Sequence, residues 1–214
     1  TGLTGSSVIE GYGMTETTTL ISMNPPDTRA RLGSVGMPLP GTGVSILRDD
    51  GSFAAPGEIG EIAVAGPQVM AGYLGRPETT SAAFHAGWMK TGDVGYLDDD
   101  GFLYLVDRMK DMLLVGGFNV FPNEVDAVLA EHPGIAEAAV AGVSDGRAGD
   151  TMHAFVVRRD PDLTAAEVQA HCAGCLTGYK RPRAVHFVDE LPKSPIGKVV
   201  RRELRAMVKA GAVQ

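Results

Sequence analysis

The stretch Trp88–Asp126 constrains this chain more than any other, because two structural patterns meet inside it. Its centre is a charged knot, Asp107-Arg108-Met109-Lys110-Asp111. Before the knot, short apolar runs alternate with Gly- and Pro-rich turns, the pattern of an all-β segment. After it, β-like runs alternate with helical periodicity, the pattern of packed helices on a sheet. A single continuous core does not suit both patterns. The knot therefore reads as a domain junction, with residues 1–106 on one side and 107–214 on the other.

On the first side, Val8-Ile9-Glu10 runs into the Gly-rich turn GYGMTETT, and Asn24-Pro25-Pro26-Asp27 breaks the chain. Val44 to Leu47 and Glu61 to Ala65 read as strands. Gly95 to Asp107 reads as a hairpin turned at Asp100-Gly101. Phe102, Tyr104 and Val106 share one face of its second strand and Leu103 and Leu105 the other, so a strand covered on both sides is expected. Short strands with frequent turns predict a small β-barrel or sandwich. The Asp98-Asp99-Asp100 triplet lacks the spacing of a calcium loop and reads as a solvated turn.

On the second side, Leu113 to Val115 reads as a strand. Pro122 opens a helix carrying Val125, Val128 and Leu129 on one face, stopped by His132-Pro133-Gly134. Strands follow at Ala138 to Val143 and Ala154 to Val157. Thr164-Ala165-Ala166-Glu167 is a capping box that starts a helix to about Leu176. Ala184 to Val188 is a strand, Ser194 to Gly197 a loop, and Val200, Leu204, Met207 and Val208 line one face of a last helix. The predicted class is α+β: a barrel-like domain, a hinge, then an α+β domain with a small mixed sheet.

Composition narrows the function. The net charge of −7 argues against nucleic acid as a partner. Residues 180–214 nevertheless hold nine Lys or Arg against three Asp or Glu, a net of +6 that leaves −13 for the rest. A basic tail on an acidic chain suits a small anionic ligand, or is a solvated helix face. No apolar run approaches the roughly 20 residues of a membrane span, though peripheral membrane contact stays open. The two cysteines, Cys172 and Cys175, lack partners for a zinc site and read as small helix residues in a reducing, cytoplasmic setting. Residue 1 is Thr and no signal peptide is visible, so a piece of a longer chain is expected.

Four places pair reactive side chains with turns. Tyr12 to Glu16 offers an aromatic ring, a hydroxyl and a carboxylate that suits Mg²⁺, or is simply a helix start. Asp93 follows a Thr-Gly turn and suits a ribose diol, or caps its own turn. Arg108 and Lys110 stand beside the Gly116-Gly117-Phe118-Asn119 loop, whose glycines allow close approach of a ligand; the alternative is a salt-bridged linker. Lys198 follows a stiff Pro/Gly loop, where a cation stabilises charge building on a phosphate, or is one more surface Lys.

Taken in order, GYGMTETT, KTGD, DRMKDMLLVGGFNVFPNEVD and LPKSPIGKVVRREL resemble the adenylate-forming enzymes: acyl-CoA synthetases, luciferases and peptide-synthetase adenylation domains. Within them, GGFNVFPNEVD, LTGYKRP and DELPKSPIGK look most like long-chain fatty acyl-CoA ligases. The resemblance covers the whole chain and implies its C-terminal portion: the end of the large domain with its β-barrel (1–106) and the small mobile domain (107–214). It implies that Tyr12 stacks on adenine, Thr15 contacts the α-phosphate and Glu16 helps hold Mg²⁺. Asp93 and Arg108 would bind the ribose hydroxyls. Lys110 would be the hinge, and Lys198 would act in adenylation. Gly116, Gly117, Phe118 and Asn119 would line the coenzyme A channel. The implied substrates are a fatty acid, ATP and coenzyme A. The family's phosphate loop and the acyl pocket are absent from these residues, so the fragment alone is expected to be inactive. The alternatives are a non-catalytic AMP- or protein-binding module, and a ligase for a medium-chain or aryl acid.

Overall fold

The computed structural model describes residues 8–27, 29–144, 149–195 and 197–211. The opening TGLTGSS, Ile196 of the Ser194–Gly197 loop and the last three residues lie outside them. The chain divides into two compact units, Thr1–Lys110 and Asp111–Gln214.

The first unit opens with three two-residue strands, β1 (Gly11–Tyr12), β2 (Ser22–Met23) and β3 (Met37–Pro38), in one antiparallel sheet. A larger antiparallel sheet follows: β4 (Gly43–Leu47), β5 (Gly60–Ala65), β6 (Phe84–His85), β7 (Trp88–Leu97) and β8 (Leu103–Arg108). Its order is β4-β5-β7-β6, with β8 also on β7. The ten-residue β7 is the organiser. It pairs with β5 along one edge and gives the other first to β6, at Trp88 and Met89, and then to β8, from Asp93 to Leu97. Ile46, Ile62, Val64 and Leu103 are buried with Ile21 and Tyr12 in one apolar cluster. Each fully buried aliphatic side chain contributes roughly 1.5–3 kcal/mol.

The barrel expectation is corrected here: among the described residues the sheet is open and does not close on itself. The two-sided cover expected for β8 also fails in part. Leu103 is fully buried and Tyr104 stacks on Tyr96 at 4.8 Å, but Leu105 is 40% exposed. The helix α1 (Pro77–Ala83) had no sequence signal, because it buries none of its residues and so carries no apolar stripe. The acidic triplet is a turn, as read. Asp98 accepts from the backbone N–H groups of Asp100 and Phe102, while Arg31 pairs with Asp98 and Asp100 and lies over the Phe102 ring.

The second unit begins with the hairpin β9 (Leu113–Val115) and β10 (Phe118–Val120) and continues with α2 (Pro122–Ala130). Then come β11 (Ile135–Ser144), β12 (Asp150–Arg158), α3 (Ala165–Cys175), β13 (Ala184–Phe187) and α4 (Arg201–Lys209). The sheet is mixed: β11 and β12 run antiparallel, and β12 and β13 run parallel across the α3 crossover. Alternation along β11 builds two cores. Val140 lies with Met152, Ala154 and Val156 in a cluster that includes Val125 and Leu129 of α2 and Val168 and Cys172 of α3. Ala139 and Ala141 lie with Phe155, Leu191 and Leu204 of α4 in the other. So α+β is the class of the whole chain. The capping box forms as read: the Glu167 N–H donates to Thr164 Oγ1, and the Thr164 N–H donates to Glu167 Oε2 at 2.9 Å. Cys172 is buried, which pushes its thiol pKa up, while Cys175 is exposed. Among the described residues no group of three or more His, Cys, Asp or Glu is placed to hold a metal.

Candidate active site

Three of the residues singled out in the sequence meet in the first unit. The antiparallel register sets Asp93 of β7 opposite Arg108 of β8, and β1 brings Tyr12 to the same place. The Tyr12 hydroxyl donates to Asp93 Oδ2 at 2.7 Å, and Arg108 Nε stands 3.4 Å from Asp93 Oδ1. The backbone sets this up. Gly92 has φ +74, and its N–H donates to Glu61 Oε1. Thr91 Oγ1 donates to the Ile62 carbonyl and accepts from the Asp93 N–H. Asp93 is thus held within β7 with its carboxylate braced on both oxygens. Tyr12 is only 8% exposed, so little of its ring is open for stacking; burial, and then the bond to Asp93, push its phenol pKa up.

Thr15 and Glu16 sit on a 3-10 turn, Thr15–Thr17. Its shape is dictated by Gly13, where a Cβ would come within 1.5 Å of the Thr19 carbonyl oxygen, and by left-handed Thr18 and Thr19. Thr17 is fully buried and exchanges hydrogen bonds with the Met14 backbone, leaving Thr15 exposed and Glu16 half-buried. Glu16 Oε1 accepts from the Tyr73 hydroxyl at 2.9 Å, and the Glu16 carbonyl accepts from the Met70 N–H at 2.8 Å. That hydrogen bond, more than burial, raises the Tyr73 pKa. Sequence reasoning passed over Tyr73, Thr91 and Glu61. Tyr73 stands between Gly72 and Gly75, the kind of turn that drew attention elsewhere in the chain. Lys110 is exposed, in the 3-10 turn Met109–Asp111.

The other candidates belong to the second unit. Gly116 (φ +59) and Gly117 (φ +86) form the two-residue turn between β9 and β10, where both central residues need positive φ. A Cβ on either would touch nothing within 4 Å, so the glycines serve the backbone conformation and leave the tip open. Phe118 and Asn119 are exposed, and Phe118 stacks on Tyr179 at 4.5 Å. Lys198 is exposed just past a tight loop. The Ser194 N–H donates to the Lys198 carbonyl at 2.8 Å, and the Lys198 N–H donates to Ser194 Oγ at 3.2 Å. Among the described residues no carboxylate pairs with its ammonium. The basic tail is partly spent on structure: Lys193 pairs with Glu137, Lys180 with Glu124 and Arg201 with Asp126.

Residues 2–74 match the family model described as AMP-binding enzyme, and residues 124–198 match that described as AMP-binding enzyme C-terminal domain. The chain belongs to the AMP-binding enzyme family. It is 49% identical, over 95% of its length, to a long-chain-fatty-acid-CoA ligase of Escherichia coli O157:H7, of which it spans 36%. It is 46% identical, again over 95%, to a 2-succinylbenzoate-CoA ligase of Geobacillus kaustophilus, of which it spans 42%. A solved structure of the O-succinylbenzoate coenzyme A synthetase (MenE) from Bacillus subtilis, in complex with ATP and magnesium ion, superposes with a TM-score of 0.81 at 42% identity. That match covers 92% of this chain and 41% of the other. In this AMP-binding family member one matched segment falls in each unit. Tyr12, Thr15 and Glu16 lie in the first and Lys198 ends the second. Asp93, Arg108, Lys110 and the Gly116–Asn119 loop lie between them.

Proposed function

We propose that this chain is the C-terminal portion of an ATP-dependent acid-thiol ligase that makes an acyl-adenylate and then an acyl-CoA thioester, with a long-chain fatty acid as substrate. The observation that carries the reading is the Tyr12–Asp93–Arg108 arrangement. A carboxylate fixed by a phenol and a guanidinium, with 18% of its side chain open, is preorganised to accept from a ribose diol. Adenine would lie against the small part of Tyr12 that stays open. Thr15, exposed on its turn, is free to donate to the α-phosphate. Glu16 fits Mg²⁺: it is a hard oxygen donor, and among the described residues its Oε2 accepts no hydrogen bond. Among the described residues no group of three or more His, Cys, Asp or Glu surrounds it, so phosphate and water would supply most of the shell. Mg²⁺ held there would neutralise charge on the polyphosphate.

In the first half-reaction the acid's carboxylate attacks the α-phosphorus and pyrophosphate leaves, and the Lys198 ammonium stabilises the charge that builds. In the second the thiol of coenzyme A attacks the acyl carbonyl and AMP leaves, with Gly116, Gly117, Phe118 and Asn119 lining the thiol's path. Lys110, the last residue of the first unit, would be the hinge that exchanges the two arrangements. The 214-residue chain by itself would not adenylate, because it spans only 36% of the length of the Escherichia coli relative; ATP–pyrophosphate exchange by the purified piece would overturn that. A second acid class has its own support, since the 2-succinylbenzoate ligase is nearly as similar as the fatty-acid ligase. A panel of long-chain, medium-chain and aryl acids, scored by kcat/KM on the full-length protein, tests the reading. Preference for an aryl acid would replace the fatty-acid assignment, and turnover of none would remove the ligase reading.

A further inference from the structure

We infer that Tyr73 is the positioning residue for the Glu16 carboxylate, fixing which of its oxygens meets the metal; this rests on the reading of Glu16 as the Mg²⁺ carboxylate. Glu16 and Tyr73 are 57 residues apart and are joined by a directed hydrogen bond, from the Tyr73 hydroxyl to Glu16 Oε1 at 2.9 Å. The segment that carries Tyr73 is anchored on both sides. Towards the 3-10 turn, the Met70 N–H donates to the Glu16 carbonyl at 2.8 Å and Thr18 Oγ1 donates to the Gln68 carbonyl at 2.9 Å. Towards α1, the Tyr73 N–H donates to Thr80 Oγ1, and Thr80 Oγ1 donates to the Arg76 carbonyl, both at 2.9 Å. Gly72 lets the chain pass close enough for this: a Cβ there would stand 2.7 Å from Thr80 Cγ2.

The consequence for the carboxylate is specific. A free Glu side chain turns about three bonds and presents either oxygen. With Oε1 held by the phenol, the rotation is fixed before any ligand arrives and Oε2 is the oxygen left for a cation. Outer partners of this kind orient a ligating carboxylate, and their loss typically weakens metal binding about 10–100-fold. The hydroxyl makes this bond, so removing it while keeping the ring isolates its effect.

The test is made on the full-length protein with Tyr73→Phe, which keeps the ring, and Glu16→Ala. Mg²⁺ binding is titrated calorimetrically in the presence of a non-hydrolysable ATP analogue, and binding of the metal-free analogue is measured beside it. Tyr73→Phe is expected to weaken Mg²⁺ binding about tenfold, to leave metal-free analogue binding within twofold, and to raise the half-saturating Mg²⁺ of adenylation in parallel while kcat recovers at high Mg²⁺. Mg²⁺ binding that is unchanged or tighter in Tyr73→Phe, with Glu16→Ala strongly weakened, overturns the positioning role alone. Mg²⁺ binding unchanged in Glu16→Ala overturns the metal reading of Glu16 beneath it.

Discussion

Lys198 and Asp93, both assigned to the nucleotide in the proposed function, are held in different ways. Asp93 is braced at both oxygens by Tyr12 and Arg108, so its geometry is set in advance. Lys198 is exposed on the far side of a hydrogen-bonded loop, its backbone fixed through Ser194 and its ammonium without a carboxylate partner among the described residues. A cation held this way suits the transition-state role that the proposed function gives it. On the proposed function, Lys198→Ala in the full-length protein is therefore expected to lower adenylation by about 10²–10³-fold while sparing thioester formation from supplied acyl-adenylate. Pyrophosphate exchange and single-turnover thioester assays separate the two, and equal losses in both would remove the lysine from its assigned step.

Among the elements, the β9–β10 hairpin and the β12–β13 pair make independent claims. At Gly117 φ is +86 with open space around it, so the cost of a side chain is conformational: Gly117→Ala is expected to lower stability by about 1–2 kcal/mol, read as a shifted urea midpoint. Gly13→Ala is a different case, because a Cβ there collides with the Thr19 carbonyl and the turn that presents Glu16 must move. Across the parallel pair, His153 Nδ1 stands 2.8 Å from His186 Nε2. Burial, and then the neighbouring His186, hold the His153 pKa below its ordinary 6.5. The unfolded chain therefore takes up this proton first. The contribution of His153 is fully present above pH 6.5 and is lost as pH falls through the lower folded value. Urea midpoints measured from pH 7.5 to pH 5 should fall, and His153→Gln should flatten that part of the profile.

For the whole molecule, the alternation in the proposed function requires a hinge between the two units. The units divide at Lys110 and Asp111, inside the charged knot. A hinge there must change φ and ψ at one or two residues, and proline fixes φ near −65°. Lys110→Pro is expected to leave one half-reaction near its normal rate and to slow the other about tenfold or more. Equal rates for both half-reactions in that variant would argue against alternation about this residue.

How much of this was legible in advance depends on the range of the interaction. Local chemistry was readable. Pro122 at the first position of α2, the Thr164–Glu167 box and the apolar periods of α2 and α4 act over a few residues and fold as their sequence dictates. The switch from turn-rich strands to packed helices was equally plain. What lay beyond the sequence was closure and contact at a distance. Strand periodicity says which residues share a face but not whether a sheet closes, so the barrel became an open sheet among the described residues. With no apolar stripe, α1 gave no signal. The bonds from Tyr12 to Asp93, across 81 residues, and from Tyr73 to Glu16, across 57, exist only because pairing and loop packing bring distant turns within 3 Å. The residue types were set by the chain; their being partners was decided by the fold.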